Sequence, residues 1–215
     1  MERIFFDASV MADYILFKGL INRKSRERQI EILKNNLEIS KLTKKGVYSF
    51  LSLETLRINR HMPKLEFFTS NLAIAEVGEV IKEKHQIDQM VEQGIPLKYW
   101  YKIGKNIKLP KDLGNIIRKD MIMFYILFIG RKMIKLTEEA LLQAITDFII
   151  NKHCDSHDAL LLSQAFSAQC DFFVTKDGSL KSTDYVDVIS PQILYEKIKE
   201  VSNMTRGISL PFEEF

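Results

Sequence analysis

An α/β fold, with a mostly parallel five-stranded sheet covered by helices on both faces, is predicted by three features of the chain. Short apolar runs alternate with longer stretches of helical periodicity, the pattern of strand–helix–strand units. The runs stop at carboxylates or turn residues, as at Asp7-Ala8-Ser9 and Thr175-Lys176-Asp177-Gly178. Hydrophobic residues make up 46% of the chain and charged residues 27%, close to globular averages, so a real core is expected and disorder is not. At 215 residues the chain is long for one domain and short for two. A single domain over 1–203 is expected, with helical insertions at about 18–63 and 85–130 and a C-terminal tail at 204–215.

In chain order, Arg3-Ile4-Phe5-Phe6 is the first strand and delivers Asp7 to its end. Helical spacing resumes through Val10, Met11, Tyr14 and Ile15. Much of Lys18 to Leu65 reads as helix, with Ile30, Leu33 and Leu37 on one face. Leu65 to Ser70 is the second strand, and Ser70 or Asn71 can cap the helix that follows, which carries Leu72, Ala75, Glu76, Glu79 and Val80. Met121 to Ile129 is apolar nearly all round, which suits a fully buried element or a surface for a second subunit. Met133 to Leu136 is the third strand, and Thr137-Glu138-Glu139-Ala140 starts a helix leading to Ile150. Asp155, Ser156 and Asp158 open another, with Ala159, Leu162, Ala165 and Phe166 at helical spacing. Phe172 to Val174 is the fourth strand and Tyr185 to Ser190 the fifth, ended by Pro191, with a helix from Gln192 to about Val201.

The formal net charge of +3 hides an asymmetry. Lys18 to Leu65 holds twelve Lys and Arg against four Glu, and Lys82 to Lys119 nine against four acids, which leaves the framework at −10. Basic insertions on an acidic framework point to phosphate contacts, with Arg23, Lys24, Arg26, Arg28, Lys44 and Lys45 as the first candidates. Tyr99, Trp100 and Tyr101 are candidates for stacking on bases. For both groups the alternative stays open: a solvated helix face and core aromatics. Cys154 and Cys170 suit a reducing compartment and lack the spacing of a metal site. Asp7 interrupts the first apolar run, so no signal peptide is expected, and nine apolar residues at 121–129 fall short of the roughly 20 a spanning helix needs. A soluble, cytoplasmic protein without a membrane partner is expected.

Four acids fall at strand ends or on the helices that follow strands: Asp7, Glu76, Asp158 and Asp177. In parallel sheets those places open on one crevice, outside the carboxyl ends of the strands. Each acid alone has an ordinary reading as a turn former or cap. Together, carboxylates in one crevice repel one another and are hard to keep ionised without a cation, and a set of hard oxygen ligands suits Mg²⁺ or Mn²⁺. His157 lies on a helix start with no evident nucleophile and reads as a surface residue or a support for its neighbours; His61, His85 and His153 show no ligand spacing.

Here the chain resembles the PIN-domain nucleases. The resemblance rests on the strand closing on Asp7-Ala8-Ser9, on Thr69-Ser70 followed by Leu72-Ala73-Ile74-Ala75-Glu76-Val77, and on Asp158-Ala159-Leu160 opening a helix that ends in Gln164-Ala165. Val174-Thr175-Lys176-Asp177 after a strand and Val186 to Pro191 complete it, over roughly residues 2–17, 64–84 and 131–200. It implies a three-layer α/β/α fold and metal-dependent hydrolysis of RNA phosphodiesters, leaving 5′-phosphate and 3′-hydroxyl ends. By the same resemblance Asp7, Glu76, Asp158 and Asp177 would be both the catalytic and the metal-binding acids, with Mg²⁺ or Mn²⁺ as cofactor. Ser9 and Thr175 would orient water or ligands, and Asp155 is either a further support or an ordinary N-cap. The stretches between Asp7 and Glu76 and between Glu76 and Asp158 are longer than in the compact toxin-type members, and the excess is where the basic segments lie.

Three other readings remain. A toxin-type ribonuclease would dock its antitoxin, or a second copy of itself, on the apolar 121–129 segment. A non-catalytic PIN-fold module would bind RNA or protein. A haloacid-dehalogenase-type phosphatase would need a second acid two residues after Asp7, where Ser9 stands.

Overall fold

The computed structural model describes residues 1–22, 24–39, 41–59, 62–96, 99, 100, 111–151, 154–180, 182–205, 208–210 and 212. Five strands, β1 (Glu2–Phe6), β2 (Leu65–Thr69), β3 (Lys135–Leu136), β4 (Phe172–Val174) and β5 (Asp187–Ile189), form one all-parallel sheet in the order β3-β2-β1-β4-β5. The register pairs Phe5 with Phe68 on one side and Phe173 on the other. Ile4, Phe5 and Phe6 are wholly buried because the central strand is covered on both faces, which is why it reads as a continuous apolar run and not as an alternation. Phe5 stacks on Phe173 and Phe6 on Phe67, tying β1 to both neighbours.

Eight helices are described: α1 (Ala8–Ile21), α2 (Arg26–Ile39), α3 (Lys41–Asn59), α4 (Asn71–Glu92), α5 (Lys111–Phe124), α6 (Leu142–Asn151), α7 (Ser156–Ser167) and α8 (Pro191–Met204). With the parallel sheet they give the α/β class expected, in a form compatible with three α/β/α layers. Helix α1 packs on both α3 and α4, so it is apolar nearly all round, with Val10, Met11, Ala12 and Tyr14 buried. The first basic insertion divides into two unlike helices. Among the described side chains of α2 only Leu33 is fully buried, whereas on α3 Phe50, Leu51, Leu53 and Leu56 all join the core against α1 and α8. Gly46 permits that approach: a Cβ there would stand 2.9 Å from the Phe17 ring and 3.4 Å from the Asp13 carboxyl carbon. The described tail docks as well, through Asn59 bonded to both the N–H and the carbonyl of Ser209 and through Phe212, which is buried beside Phe50.

Several boundaries differ from the sequence expectation. The third strand starts at Lys135, because Met133 and Ile134 both donate to the Phe128 carbonyl and close the preceding turn. The next helix starts at Leu142 and not at Thr137. Thr137 N continues the ladder to the Thr69 carbonyl, Glu138 accepts from Asn71 N at the start of α4, and Leu141 exchanges two hydrogen bonds with Ser163 Oγ. The fifth strand starts at Asp187, since Thr183 Oγ1 takes the N–H groups of Tyr185 and Val186 into a turn. Helix α8 includes Pro191 at its first turn, where no N–H is needed, with Ser190 as the cap. The apolar run 121–129 spans the end of α5 and a π-helical turn at Tyr125–Ile129. Only one stripe of it is buried: Phe124 and Phe128 are inside, while Ile122, Met123, Tyr125 and Ile126 are 42–52% exposed. Among the described residues no helix is long and apolar enough to cross a membrane.

Candidate active site

The sheet order reverses at β1: the chain moves outward through β2 to β3, then returns to the far side of β1 as β4. At such a switch point the connections on either side leave to opposite faces and open a crevice between the two carboxyl ends. Asp7 follows β1 and Thr175-Lys176-Asp177 follows β4, and Asp7 N donates to the Val174 carbonyl at 3.1 Å, so the ladder itself holds the two segments together.

Asp7 is the N-cap of α1, its Oδ1 accepting from Ala8 N at 2.6 Å. Its Oδ2 accepts from Ser9 Oγ at 2.5 Å and from Thr175 Oγ1 at 2.8 Å. Ser9 Oγ in turn accepts from Lys176 N, and Thr175 Oγ1 from Asp177 N. Ser9 and Thr175 thus bridge one carboxylate to the loop that carries the next. Asp177 Oδ1 accepts from Ser179 N at 2.7 Å, which folds that loop back on itself.

The other two acids come from helices. Ser70 caps α4 through Ala73 N and sets Glu76 in the second turn, its side chain only 18% exposed. Asp155 caps α7 by accepting from Asp158 N, which is the ordinary reading of Asp155, and puts Asp158 in the first turn. Both carboxyls titrate above their usual range. Burial raises Glu76 first, followed by the charge of Asp7, with Asp158 and Glu79 adding and His157 opposing. Burial and the charges of Asp155, Asp7 and Asp177 push Asp158 up to about 6, again against His157. The four acids therefore lie within electrostatic reach of one another. Among the described residues, however, no three His, Cys, Asp or Glu side chains stand grouped as metal ligands. Asp7 gives both its oxygens to the hydrogen bonds just described. The donors fit a hard divalent cation in kind, being carboxylate oxygens.

Two further side chains meet the site, His157 as the support for its neighbours that the sequence allowed and Asp13 unforeseen. His157 Nδ1 lies 3.5 Å from Glu76 Oε1, and its position beside Asp158 was the available signal. Asp13, in the middle of apolar α1, pairs with Lys176 at 2.7 Å, and burial holds its carboxyl above the ordinary range against the pull of that ammonium. A charged residue inside a helix that is apolar all round was the clue there.

Of the basic candidates, Arg23 lies outside the described residues. Lys24, Arg26 and Arg28 are exposed; Arg28 pairs with Glu31 at 2.6 Å and Arg26 stands over the Phe212 ring. Lys44 and Lys45 are half-buried, and Lys45 Nζ donates to the Lys176 carbonyl at 2.9 Å, at the edge of the crevice. Tyr99 is exposed, Trp100 donates its indole N–H to the Ile95 carbonyl, and Tyr101 lies outside the described residues, as do His61 and His153.

What the fold and this crevice define is a parallel α/β protein in which Ser9 and Thr175 join Asp7 to the loop of Asp177 at the switch point. Comparisons with protein-family models, with curated proteins and with solved structures give no match.

Proposed function

We propose that this chain is a metal-dependent endoribonuclease of the PIN type, with Asp7, Glu76, Asp158 and Asp177 as its acids and Mg²⁺ or Mn²⁺ as its cofactor. The observation that carries the reading is the junction of Asp7 with the loop of Asp177 at the switch point, through Ser9 and Thr175. Groups of like charge held together at a sheet's switch point are a recurrent mark of functional sites. A bound divalent ion would offset the charge of an incoming phosphodiester and acidify the attacking water. The chain's own residues supply the rest. Ser9 and Thr175 hold the Asp7 carboxylate in one orientation. Asp155 caps α7 and so sets Asp158 in the first turn of that helix, beside the crevice. Lys24, Arg26, Arg28 and Lys44 would carry the phosphate contacts that an acidic crevice cannot make, while the Lys45 ammonium is engaged by the Lys176 carbonyl.

Asp158→Asn tests this more cleanly than a change at Asp7, whose carboxylate also caps α1. The folded variant is expected to lose Mn²⁺-dependent cleavage of a single-stranded RNA by about a hundredfold or more. Equal rates for variant and wild type would remove the assignment. RNA binding by the wild type is expected to weaken with salt, with a log–log slope of about −0.7 per phosphate contact, and charge reversal at Lys24, Arg26 and Arg28 to flatten it. An unchanged slope would return those residues to ordinary surface. A non-catalytic RNA-binding module is the second reading, favoured by the full engagement of both Asp7 oxygens.

A further inference from the structure

The residue between Thr175 and Asp177 is held at three points. Lys176 N donates to Ser9 Oγ of α1 at 3.3 Å, its carbonyl accepts from Lys45 Nζ of α3 at 2.9 Å, and its ammonium reaches Asp13 Oδ1 of α1 at 2.7 Å. The Lys176 and Asp13 side chains are 18% and 9% exposed, so this is an ion pair removed from most of the surrounding water. The Lys45 ammonium also lies over the loop, 3.9 Å from where a Cβ of Gly178 would stand.

We propose that Lys176 and Lys45 are positioning residues: together they tie the loop bearing Asp177 to α1 and to the inserted helix α3, and so set where that carboxylate stands in the crevice.

A buried ion pair is a poor way to gain stability, because desolvation of the two charges offsets most of their attraction; what it does supply is a fixed geometry. The loop needs such fixing. The connection from β4 to β5 is long, running from 175 to 186, it follows a strand of three residues, and Asp177 near its start is exposed. Lys45 reaches it only because Gly46 lets α3 lie close against Asp13 and Phe17. The basic insertion thus contributes a structural part to the acidic site, in addition to any contact with nucleic acid. This inference rests on the proposed nuclease reading for its kinetic consequence and not for its structural one.

The test compares wild type with Lys45→Met, Lys45→Arg and Lys176→Met as full-length proteins, and has two readouts. The first is amide hydrogen exchange of the 175–179 segment with no metal or RNA added. Lys45→Met is expected to speed it about tenfold while the global unfolding midpoint stays in place, with Lys45→Arg restoring protection. Unchanged exchange in both Met variants overturns the inference whether or not the protein cuts RNA. The second readout is Mn²⁺-dependent cleavage of a single-stranded RNA, with kcat and KM separated. Displacing Asp177 is expected to lower kcat about tenfold to a hundredfold with KM nearly constant. A rise in KM alone would make Lys45 a phosphate contact and overturn its positioning role. A wild type that binds no Mn²⁺ and cuts no RNA removes the nuclease reading, and the exchange result then decides this inference alone.

Discussion

A buried carboxylate and a set of half-buried to exposed ones in this molecule face opposite electrostatic company. Glu54, on α3, accepts from Tyr14 Oη, from Lys18 Nζ at 2.9 Å and from Arg57 through two nitrogens at 2.8 Å each. Burial pushes its carboxyl up, but the hydrogen bonds and charges of Arg57 and Lys18 outweigh it and hold Glu54 below its usual range. The same carboxylate raises the Tyr14 phenol, on top of burial. In the crevice, burial acts in the same direction, yet the neighbours are further acids, and Asp158 rises to about 6. The neighbours decide the difference, since the more deeply buried carboxyl is the one held low. Glu54 is complete in itself and joins α1 to α3, whereas Glu76 and Asp158, raised by burial and by like charges, are less favourable when ionised.

That contrast can be broken most decisively at Glu54. Removing it by Glu54→Ala leaves three donors without their acceptor and is expected to destabilise the protein by about 2–3 kcal/mol, somewhat less than for a fully buried pair because Lys18 and Arg57 reach water. Urea denaturation reads this, and a cost under about 0.5 kcal/mol would reduce the network to a surface ion pair.

Asp158→Asn should act with the opposite sign, stabilising the metal-free protein at pH 7 by on the order of 1–2 kcal/mol, a figure reduced for partial solvent screening. The sign follows from linkage. Asp158 has its pKa raised on folding, so its contribution is fully present below the unfolded value and is lost as pH rises through about 6. Glu54 has its pKa lowered, so its contribution is present above the unfolded value of about 4.5 and is lost as pH falls through the folded one. From these two groups metal-free stability is expected to peak near about pH 4 in a melting series, and the wild type to lose ground to Asp158→Asn between about pH 4 and 6. Adding Mn²⁺ at about 100 times its Kd should recover about 2.7 kcal/mol in the wild type and less in the variant. Equal shifts in both proteins would place the ion elsewhere.

The smallest effect belongs to Asp155. As the cap of α7, its replacement by Ala is expected to cost about 1 kcal/mol and to leave cleavage nearly unchanged. A selective loss of cleavage at unchanged stability would promote Asp155 from cap to participant.

The strands were legible where burial on both faces produces an uninterrupted apolar run, as at Ile4-Phe5-Phe6 and Phe172-Phe173-Val174. Ser70 and Asp155 were legible as caps because a cap is decided within three residues of chain. Thr137-Glu138-Glu139 misled because its local pattern is that of a helix start. Glu138 is held instead by Asn71 N, 67 residues away, and the third strand borrows Thr137. The same limit hid the Asp13–Lys176 pair and the fit of Glu54 among Tyr14, Lys18 and Arg57, since neither sequence separation nor residue type says which charges will share a buried face.

By itself the sequence determined the class of fold, the edge of the sheet to which its carboxylates are delivered, and the acidic framework with its basic insertions. Those properties follow from periodicity, strand ends and composition, all of which are local or additive. Tertiary structure alone decided that α3 enters the core, that Lys45 and Lys176 clamp the Asp177 loop, and that one buried glutamate is matched by cations while the crevice acids face one another. Pairings between distant segments depend on the relative placement of whole elements, and a change of a few ångströms in that placement alters every interaction between their charges.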